Sequence, residues 1–359
     1  MKRVHNYYAG PAALPLEALE YANKEFLDFE GTGMSVLEIS HRSKEYDKVH
    51  NEANALVKEL LSLPDNYHVL WLQGGASTQF AMVPMNLLGG DKTADYLLTG
   101  SWSKKALKEA KIVGKARAAS SSEEKNFSFI PKTYDLDPKA EYVHLTSNNT
   151  IFGTQYFNFP ATGNVPLVAD MSSDFMWRPF DVKPFGLIYA GAQKNLGPAG
   201  VTLVIIRDDL LAKCNPNLPT MFKYETHVKE NSLYNTCPCF SIYIVRNVLR
   251  WLKGLGGLAE MEKRNRAKGE LIYGVIDGSN GYYKNPNAAE DRSLMNVVFR
   301  LPSEELEAKF VAEGKSNGFI GLKGHRSVGG IRVSMYNATS VESIQELTKF
   351  MKDFQLKNG

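Results

Sequence analysis

The sequence predicts an α/β fold: a large domain with a mostly parallel central sheet flanked by helices, then a smaller C-terminal α+β domain. Three observations point there. Short apolar runs with little alternation recur through the first two thirds of the chain: YHVLWLQ (67–73), ADYLLTG (94–100), EYVHLTSN (141–148), VPLVAD (165–170), FGLIYA (185–190) and VTLVIIR (201–207). Such runs, bounded by Gly, Asn and Pro, are the pattern of strands buried on both faces. Helical patterns stand between several of them, which argues for parallel strands joined through helices. Beyond residue 254 the texture changes to a compact strand–helix–strand–helix series.

The elements read in order. Apolar residues at Tyr46, Val49, Ala53, Leu56, Val57, Leu60 and Leu61 keep helical spacing, so 46–61 is an amphipathic helix. Strand 67–73 leads through GGAS (74–77) into FAMVPMNLL, an order of strand, glycine turn and helix. Strand 94–100 leads into SWSKKALKEAKIV, where Ser101 or Ser103 is positioned to cap a helix. Segment 119–133, rich in Ser, Glu and Lys, reads as a solvated loop. FSIYIVRNVLRWLKG (240–254) is a long helix, and Gly256 and Gly257 open another through LAEMEKRNRAKGELIYGVI. MNVVFRL (295–301) and IRVSMYN (331–337) are strands, each followed by a helical stretch. The division is 16–255 for the large domain and 256–359 for the small one, joined by the N-terminal segment 1–15.

Composition narrows the function classes. The chain has 359 residues, 43% hydrophobic and 23% charged, with a net charge of +3. That charge is too small to imply nucleic acid, and there is no run of five like charges. Small anionic metabolites remain as partners through local arginines. No stretch approaches the ~20 apolar residues of a membrane span, and MKRVHNYYAGPAALP lacks the apolar core of a secretory signal. The three cysteines, Cys214, Cys237 and Cys239, have no zinc spacing, so no metal is expected. Reduced thiols in the cytoplasm are the expectation.

In α/β sheets ligands bind at the carboxyl ends of strands. Gly74–Ser77 follows a strand and opens a helix, either a tight capped turn or a cradle in which backbone N–H groups and the helix N-terminus hold a phosphate. Trp102, just past a strand end, is either a packed core residue or a stacking platform. Asp170 ends its strand, as a cap for MSSDF or as the partner of a protonated heterocyclic nitrogen. Lys194, in GAQKNLGPAG after the next strand, is either a loop lysine or an amine facing Asp170 across a crevice. Pyridoxal phosphate needs that pair, a lysine for a Schiff base and a carboxylate at the pyridinium nitrogen. A second constellation is basic: His41-Arg42, His325-Arg326 and Arg332 would form a strong site for carboxylate or phosphate if they converge. Glycines around 321–330 suggest a loop that closes over a ligand.

At these residues the chain resembles the phosphoserine aminotransferases, a family in the class V branch of fold-type I pyridoxal-phosphate enzymes. The likeness runs nearly end to end: AGPAALP (9–15), GMSVLEISHRSKEY (33–46), LQGGAS (72–77), GSW (100–102), ADMSSDFMWRPFDV (169–182), YAGAQKNLGPAGVT (189–202), YNTCPCFSIY (234–243) and GLKGHRSVGGIRVSMYNA (321–338). The resemblance implies roles. Lys194 forms the Schiff base and shuttles the proton at the substrate α-carbon. Asp170 keeps the pyridine nitrogen protonated, Trp102 stacks on the ring and Thr150 bonds its hydroxyl. Ala76, Ser77 and Gln193 hold the cofactor phosphate. Asn235 and Thr236 reach the phosphate of the neighbouring subunit, so the site is shared across a homodimer. Arg332 clamps the α-carboxylate, while His41, Arg42, His325 and Arg326 bind the distal anion. The implied reaction is reversible amino transfer between L-glutamate and 3-phosphohydroxypyruvate in serine biosynthesis. Whether 4-phosphohydroxythreonine of pyridoxine biosynthesis is also a substrate stays open.

One departure stands out. Where the family usually has two prolines and a threonine, this chain has Cys237-Pro238-Cys239-Phe240. Packing changes alone are expected. The His-Arg pairs argue against a serine– or alanine–glyoxylate transaminase, whose substrates lack a distal anion. A cysteine desulfurase would need a lone cysteine in a mobile loop. A non-catalytic protein that binds anionic metabolites is the alternative outside enzymes.

Overall fold

The structure is a computed structural model and describes residues 3–359. In chain order its elements are β1 (His5–Asn6), α1 (Leu16–Glu25), α2 (Lys44–Leu61), β2 (Tyr67–Leu72), α3 (Gly75–Leu87), β3 (Thr93–Leu98), α4 (Ser101–Val113), β4 (Lys115–Ser121), β5 (Val143–Thr146), β6 (Leu167–Asp170), β7 (Phe185–Gly191) and β8 (Thr202–Arg207). They continue with α5 (Asp208–Leu211), α6 (Tyr224–Lys229), α7 (Cys239–Gly254), α8 (Gly257–Asp277), β9 (Asn296–Phe299), α9 (Glu304–Ser316), β10 (Phe319–Ile320), β11 (Ile331–Ser334) and α10 (Val341–Asn358).

Seven strands form the central sheet in the order β2-β8-β7-β6-β5-β3-β4. The run from β7 to β4 is parallel. β8 lies antiparallel between β7 and β2. The central strands β5, β6 and β7 are buried at every residue, which is why their sequences do not alternate. Apolar side chains pack on both faces. On one lie α2 and α7 with Val57, Leu249 and Ile188. On the other lie α3 and α4 with Phe80, Leu107 and Val168. Each such side chain contributes about 1.5–3 kcal/mol through burial. A third core gathers Ile272, Phe299, Phe310, Ile331, Leu347 and Phe354 around β9 and β11. Tyr7 belongs to that core, and β1 pairs with β10, so the N-terminal segment is tied to the C-terminal part of the chain.

Two local expectations are corrected. The N-cap of α4 is Gly100, not Ser101 or Ser103. Ser103 sits one turn in and its hydroxyl accepts the Thr99 and Gly100 N–H groups, each at 3.1 Å, so it ties the turn from inside the helix. Segment 119–133 is not a solvated loop: its start completes edge strand β4, and Phe127 and Ile130 are buried. Its charged residues face water while Ala119 and Ile130 join the main core, a pattern that composition hides.

The parallel strands β3, β5, β6 and β7 all end at one edge of the sheet. The segments leaving those ends carry Trp102, Thr150, Asp170 and Lys194.

Candidate active site

Asp170 is the last residue of β6 and only 5% exposed. Its Oδ1 accepts the Ser172 N–H at 2.9 Å and the Ser172 hydroxyl at 2.6 Å. The same hydroxyl oxygen accepts the Gly191 N–H at 3.0 Å, joining the ends of β6 and β7. Among the described residues no donor reaches Oδ2. Burial pushes the Asp170 carboxyl up, while the Lys194 charge and the two Ser172 bonds pull it back.

Lys194 leaves the end of β7 in a half-buried loop. Its Nζ donates to Thr150 Oγ1 at 2.9 Å and lies 5.6 Å from the centre of the Trp102 ring. Burial holds its amine below the ordinary lysine value, with the Asp170 charge opposing that shift and Arg332 adding to it. The amine is therefore set between Thr150 and the Trp102 ring, within electrostatic reach of Asp170. The Gln193 carbonyl accepts the Ala12 N–H at 2.9 Å, so the AGPAALP segment braces this loop from outside.

Trp102 is half-buried in the first turn of α4, and its indole Nε1 has no partner among the described residues. The loop carrying Thr150 is built by Asn149, whose Oδ1 accepts the Ile151 and Phe152 N–H groups at 3.1 Å and whose amide donates to the Thr99 carbonyl. Gly100 is required there: a Cβ on it would lie 2.2 Å from Asn149 Nδ2. Arg332 lies on β11, and its Nη1 donates to the Thr150 carbonyl at 3.4 Å. Its Nε is buried without a partner.

Ala76 and Ser77 stand in the first turn of α3, behind Gly74, whose φ of +89° suits glycine and where a Cβ would strike Thr78 Oγ1 at 1.9 Å. His325 and Arg326 lie in a loop closed by the Gly324 N–H to Gly330 carbonyl bond at 2.8 Å. Burial and the charges of Arg332, Arg326 and Lys105 all lower the His325 pKa. Lys194, Thr150, Trp102, Asp170 and Arg332 are therefore gathered, with the His325 loop within electrostatic reach.

Two pairs stay outside this group within one chain. His41 and Arg42 hydrogen-bond each other at 3.3 Å on the turn before α2. Asn235 and Thr236 meet Gln73, through Asn235 Nδ2 to Gln73 Oε1 at 3.1 Å and Gln73 Nε2 to the Thr236 carbonyl at 3.3 Å. Cys237 and Cys239 are free thiols with sulfurs 3.7 Å apart, and Cys237 Sγ is 3.0 Å from the Tyr46 hydroxyl. Sequence reading overlooked Ser172 and Asp174. Asp174 accepts from the Ser147 hydroxyl and, at 3.1 Å, from Gln155 Nε2, and burial pushes it up to about 6. The signal was present in Asp170-Met-Ser-Ser-Asp174, where polar residues follow a strand-end carboxylate at turn spacing.

Known proteins resemble the chain over its whole length. The family described as Aminotransferase class-V matches residues 4–347. A phosphoserine aminotransferase of Desulfosudis oleivorans is 58% identical, covering 100% of this chain and 99% of its own. The solved structure of phosphoserine aminotransferase from Bacillus circulans subsp. alkalophilus superposes with a TM-score of 0.98 at 55% identity over 100% of both chains. A phosphoserine aminotransferase studied for radiation damage of its Schiff base has a TM-score of 0.97 at 52% identity, over 99% of this chain and 100% of its own. A half-buried lysine and a buried aspartate at neighbouring strand ends thus stand in a full-length match of fold and sequence, and the chain belongs to the class-V aminotransferases, within the phosphoserine aminotransferase family.

Proposed function

We propose that this chain is the pyridoxal-phosphate-dependent transaminase that moves an amino group reversibly between L-glutamate and 3-phosphohydroxypyruvate, forming O-phospho-L-serine and 2-oxoglutarate for serine biosynthesis. The observation that carries the reading is the half-buried Lys194 amine, bonded to Thr150 and facing the Trp102 ring, with Asp170 buried at the adjacent strand end.

The residues fit pyridoxal phosphate. Trp102 offers an indole without an internal partner, Asp170 has a free Oδ2, and a Cβ on Gly75 would meet nothing within 4 Å beside Ala76 and Ser77. Lys194 would carry the Schiff base, Asp170 would face the ring nitrogen, Trp102 the ring and Thr150 its hydroxyl. Ala76, Ser77 and Gln193 would hold the phosphate. When bound, the cofactor supplies an electron sink for the bonds at the substrate α-carbon.

The chain's own groups do the rest. An amine held below its ordinary pKa by burial is more readily neutral, the form needed to add to a carbonyl and to accept a proton. Arg332 offers a fork to the α-carboxylate, which both substrates share. His325 and Arg326, with His41 and Arg42, take the distal phosphate or γ-carboxylate. The chain acts as a homodimer in which Asn235, Thr236 and the His41–Arg42 pair serve the neighbouring subunit. Support comes from their hydrogen bonds, which among the described residues reach none of Lys194, Asp170 and Arg332, and from apolar side chains left in the open: Leu27 at 80% and Leu37 at 57% exposure, with Phe26, Met34, Met221 and Phe222. Residues 16–255 form the cofactor domain and 256–359, with 1–15, the small domain, in line with the separate core that includes Tyr7. Three free thiols and the lack of any helix, among the described residues, long and apolar enough to cross a membrane accord with a cytoplasmic setting.

Lys194→Ala tests the reading. It should abolish both the lysine-dependent visible absorbance and turnover of glutamate with phosphohydroxypyruvate. An unchanged absorbance band in the variant ends the Lys194 assignment.

A further inference from the structure

The first turns of α4 do more than carry Trp102. Lys104, Lys105 and Lys108 project from the same helix into a cavity of about 590 Å³. Its other walls are Asn126 and Phe127, then Phe152 from the loop of Thr150, and Ser327, the residue after Arg326. The cavity therefore touches both the loop that carries Thr150 and the loop that carries His325 and Arg326. Lys104 is neutralised by Glu123 across the cavity. Lys105 and Lys108 are exposed and have no carboxylate within ion-pair distance among the described residues. Lys105 Nζ lies 4.4 Å from the centre of the Trp102 ring, the ring that Lys194 also faces.

Two unpaired ammonium groups lining a concave surface concentrate anions, and the gain grows with the charge of the anion. The indole face fixes Lys105 in a cation–π contact without cancelling its charge, so the side chain is held over the mouth rather than swinging free. We propose that Lys105 and Lys108 form an entrance patch that captures the phosphorylated substrate by its phosphate and passes it to the His325–Arg326 loop. The patch thereby favours phosphoserine and phosphohydroxypyruvate, whose phosphate carries nearly two charges, over glutamate, whose distal carboxylate carries one. This inference rests on the functional reading above. The charge of Lys105 also reaches His325, where burial and then Arg332 and Arg326 do more to lower the imidazole pKa.

The test is a double variant, Lys105→Gln with Lys108→Gln, compared with the unmodified holoenzyme. The single-turnover half-reactions with phosphoserine and with glutamate are followed across ionic strength. Both lysines are exposed, so folding is preserved, and circular dichroism checks it. We expect kcat/KM for phosphoserine at low salt to fall roughly tenfold, the loss lying in KM rather than kcat, with a loss for glutamate of about threefold or less. The difference between variant and parent should shrink as added salt shortens the screening length to ~10 Å and below. Lys105→Glu should deepen the phosphoserine defect further. Equal losses for both substrates, or a phosphoserine loss that salt leaves untouched, overturn the patch while leaving the transaminase reading intact. A parent enzyme that reacts with glutamate but not with phosphoserine removes both.

Discussion

The Ser172 hydroxyl lies 2.6 Å from Asp170 Oδ1 and accepts the Gly191 N–H at 3.0 Å, so one side chain aims the carboxylate and clamps two strand ends. Removing it leaves Asp170 with a single donor in a buried place, where burial already pushes its pKa up. Ser172→Ala should weaken cofactor retention by roughly ten- to a hundredfold, since a hydrogen bond to a charged group contributes about 1.5–3 kcal/mol. Titration of the apo variant with pyridoxal phosphate, read by absorbance, measures this. Cofactor affinity equal to that of the parent would remove Ser172 from the positioning of Asp170.

Gly100 and Asn149 meet back to back at the turn that sets both Trp102 and Thr150. A Cβ at 2.2 Å from Asn149 Nδ2 cannot be accommodated unless that amide leaves the Thr99 carbonyl. Gly100→Ala should therefore lower stability by about 1–3 kcal/mol, the range for overpacking. It should also reduce kcat, because the Thr150 loop hangs from the same asparagine. Thermal unfolding and turnover together check this. A parent-like Tm with parent-like kcat would show that the turn yields freely.

The fold and the catalytic pair were legible because both leave strong local marks. Buried strands such as FGLIYA cannot alternate, and a lysine flanked by small residues at a strand end is rare enough to read. What stayed hidden was what depends on contacts distant in sequence. Ser103 resembled a cap from its position alone, yet its hydroxyl serves the two preceding N–H groups from inside the helix. Phe127 and Ile130 sit in a stretch whose composition is polar, and only the packing against distant elements shows them buried. The Arg332–Thr150 contact joins positions far apart in the chain, and nothing in IRVSMYN alone says which carbonyl it meets.

Arg332 and Arg326 are expected to separate by substrate. Arg332 is half-buried, its Nε lacks a partner, and its proposed ligand is the α-carboxylate common to both amino acids. Arg332→Ala should cut kcat/KM for phosphoserine and glutamate alike, by roughly 30-fold or more, since losing one member of a buried charge pair costs about 2–5 kcal/mol. Arg326→Ala should harm phosphoserine more than glutamate, because the phosphate carries more charge. Half-reaction rates with each amino acid decide. Equal losses in Arg326→Ala would count against a phosphate-weighted role.

The Cys237–Cys239 pair follows directly after Thr236. Hydrogen bonding from Cys239 and Tyr46 lowers the Cys237 pKa, yet neither thiol touches Lys194, Asp170 or Arg332. Cys237→Ser with Cys239→Ser should keep transamination within about twofold, with a stability loss of about 1–3 kcal/mol, because Cys237 is buried in the main core and Cys239 packs against it. Steady-state turnover provides the check. Loss of activity in the double variant would show that the thiols do more than pack.

Lys268 gives the pH dependence its sharpest handle. It is fully buried on α8, and its Nζ donates to the Met335 and Tyr336 carbonyls at 2.9 and 2.8 Å. Burial, with a smaller contribution from the Arg264 charge, pulls its pKa from 10.5 down to about 7. The folded chain thus releases this proton near pH 7, while the unfolded chain keeps it until near the ordinary lysine value. Between those limits the unfolded state binds more protons, so this residue makes stability rise with pH, with a slope of up to about 1.4 kcal/mol per unit. Below pH 7 both states are protonated, and the full cost of the buried charge persists. Lys268→Met leaves two carbonyls without their donor and so shifts stability by a constant amount, but it removes the slope. Stability of parent and variant, measured by denaturant unfolding from pH 6.5 to 9.5, should give curves that diverge in favour of the parent as pH rises. Parallel curves would mean that Lys268 keeps its proton in the fold, held by the two carbonyls against the cost of burial.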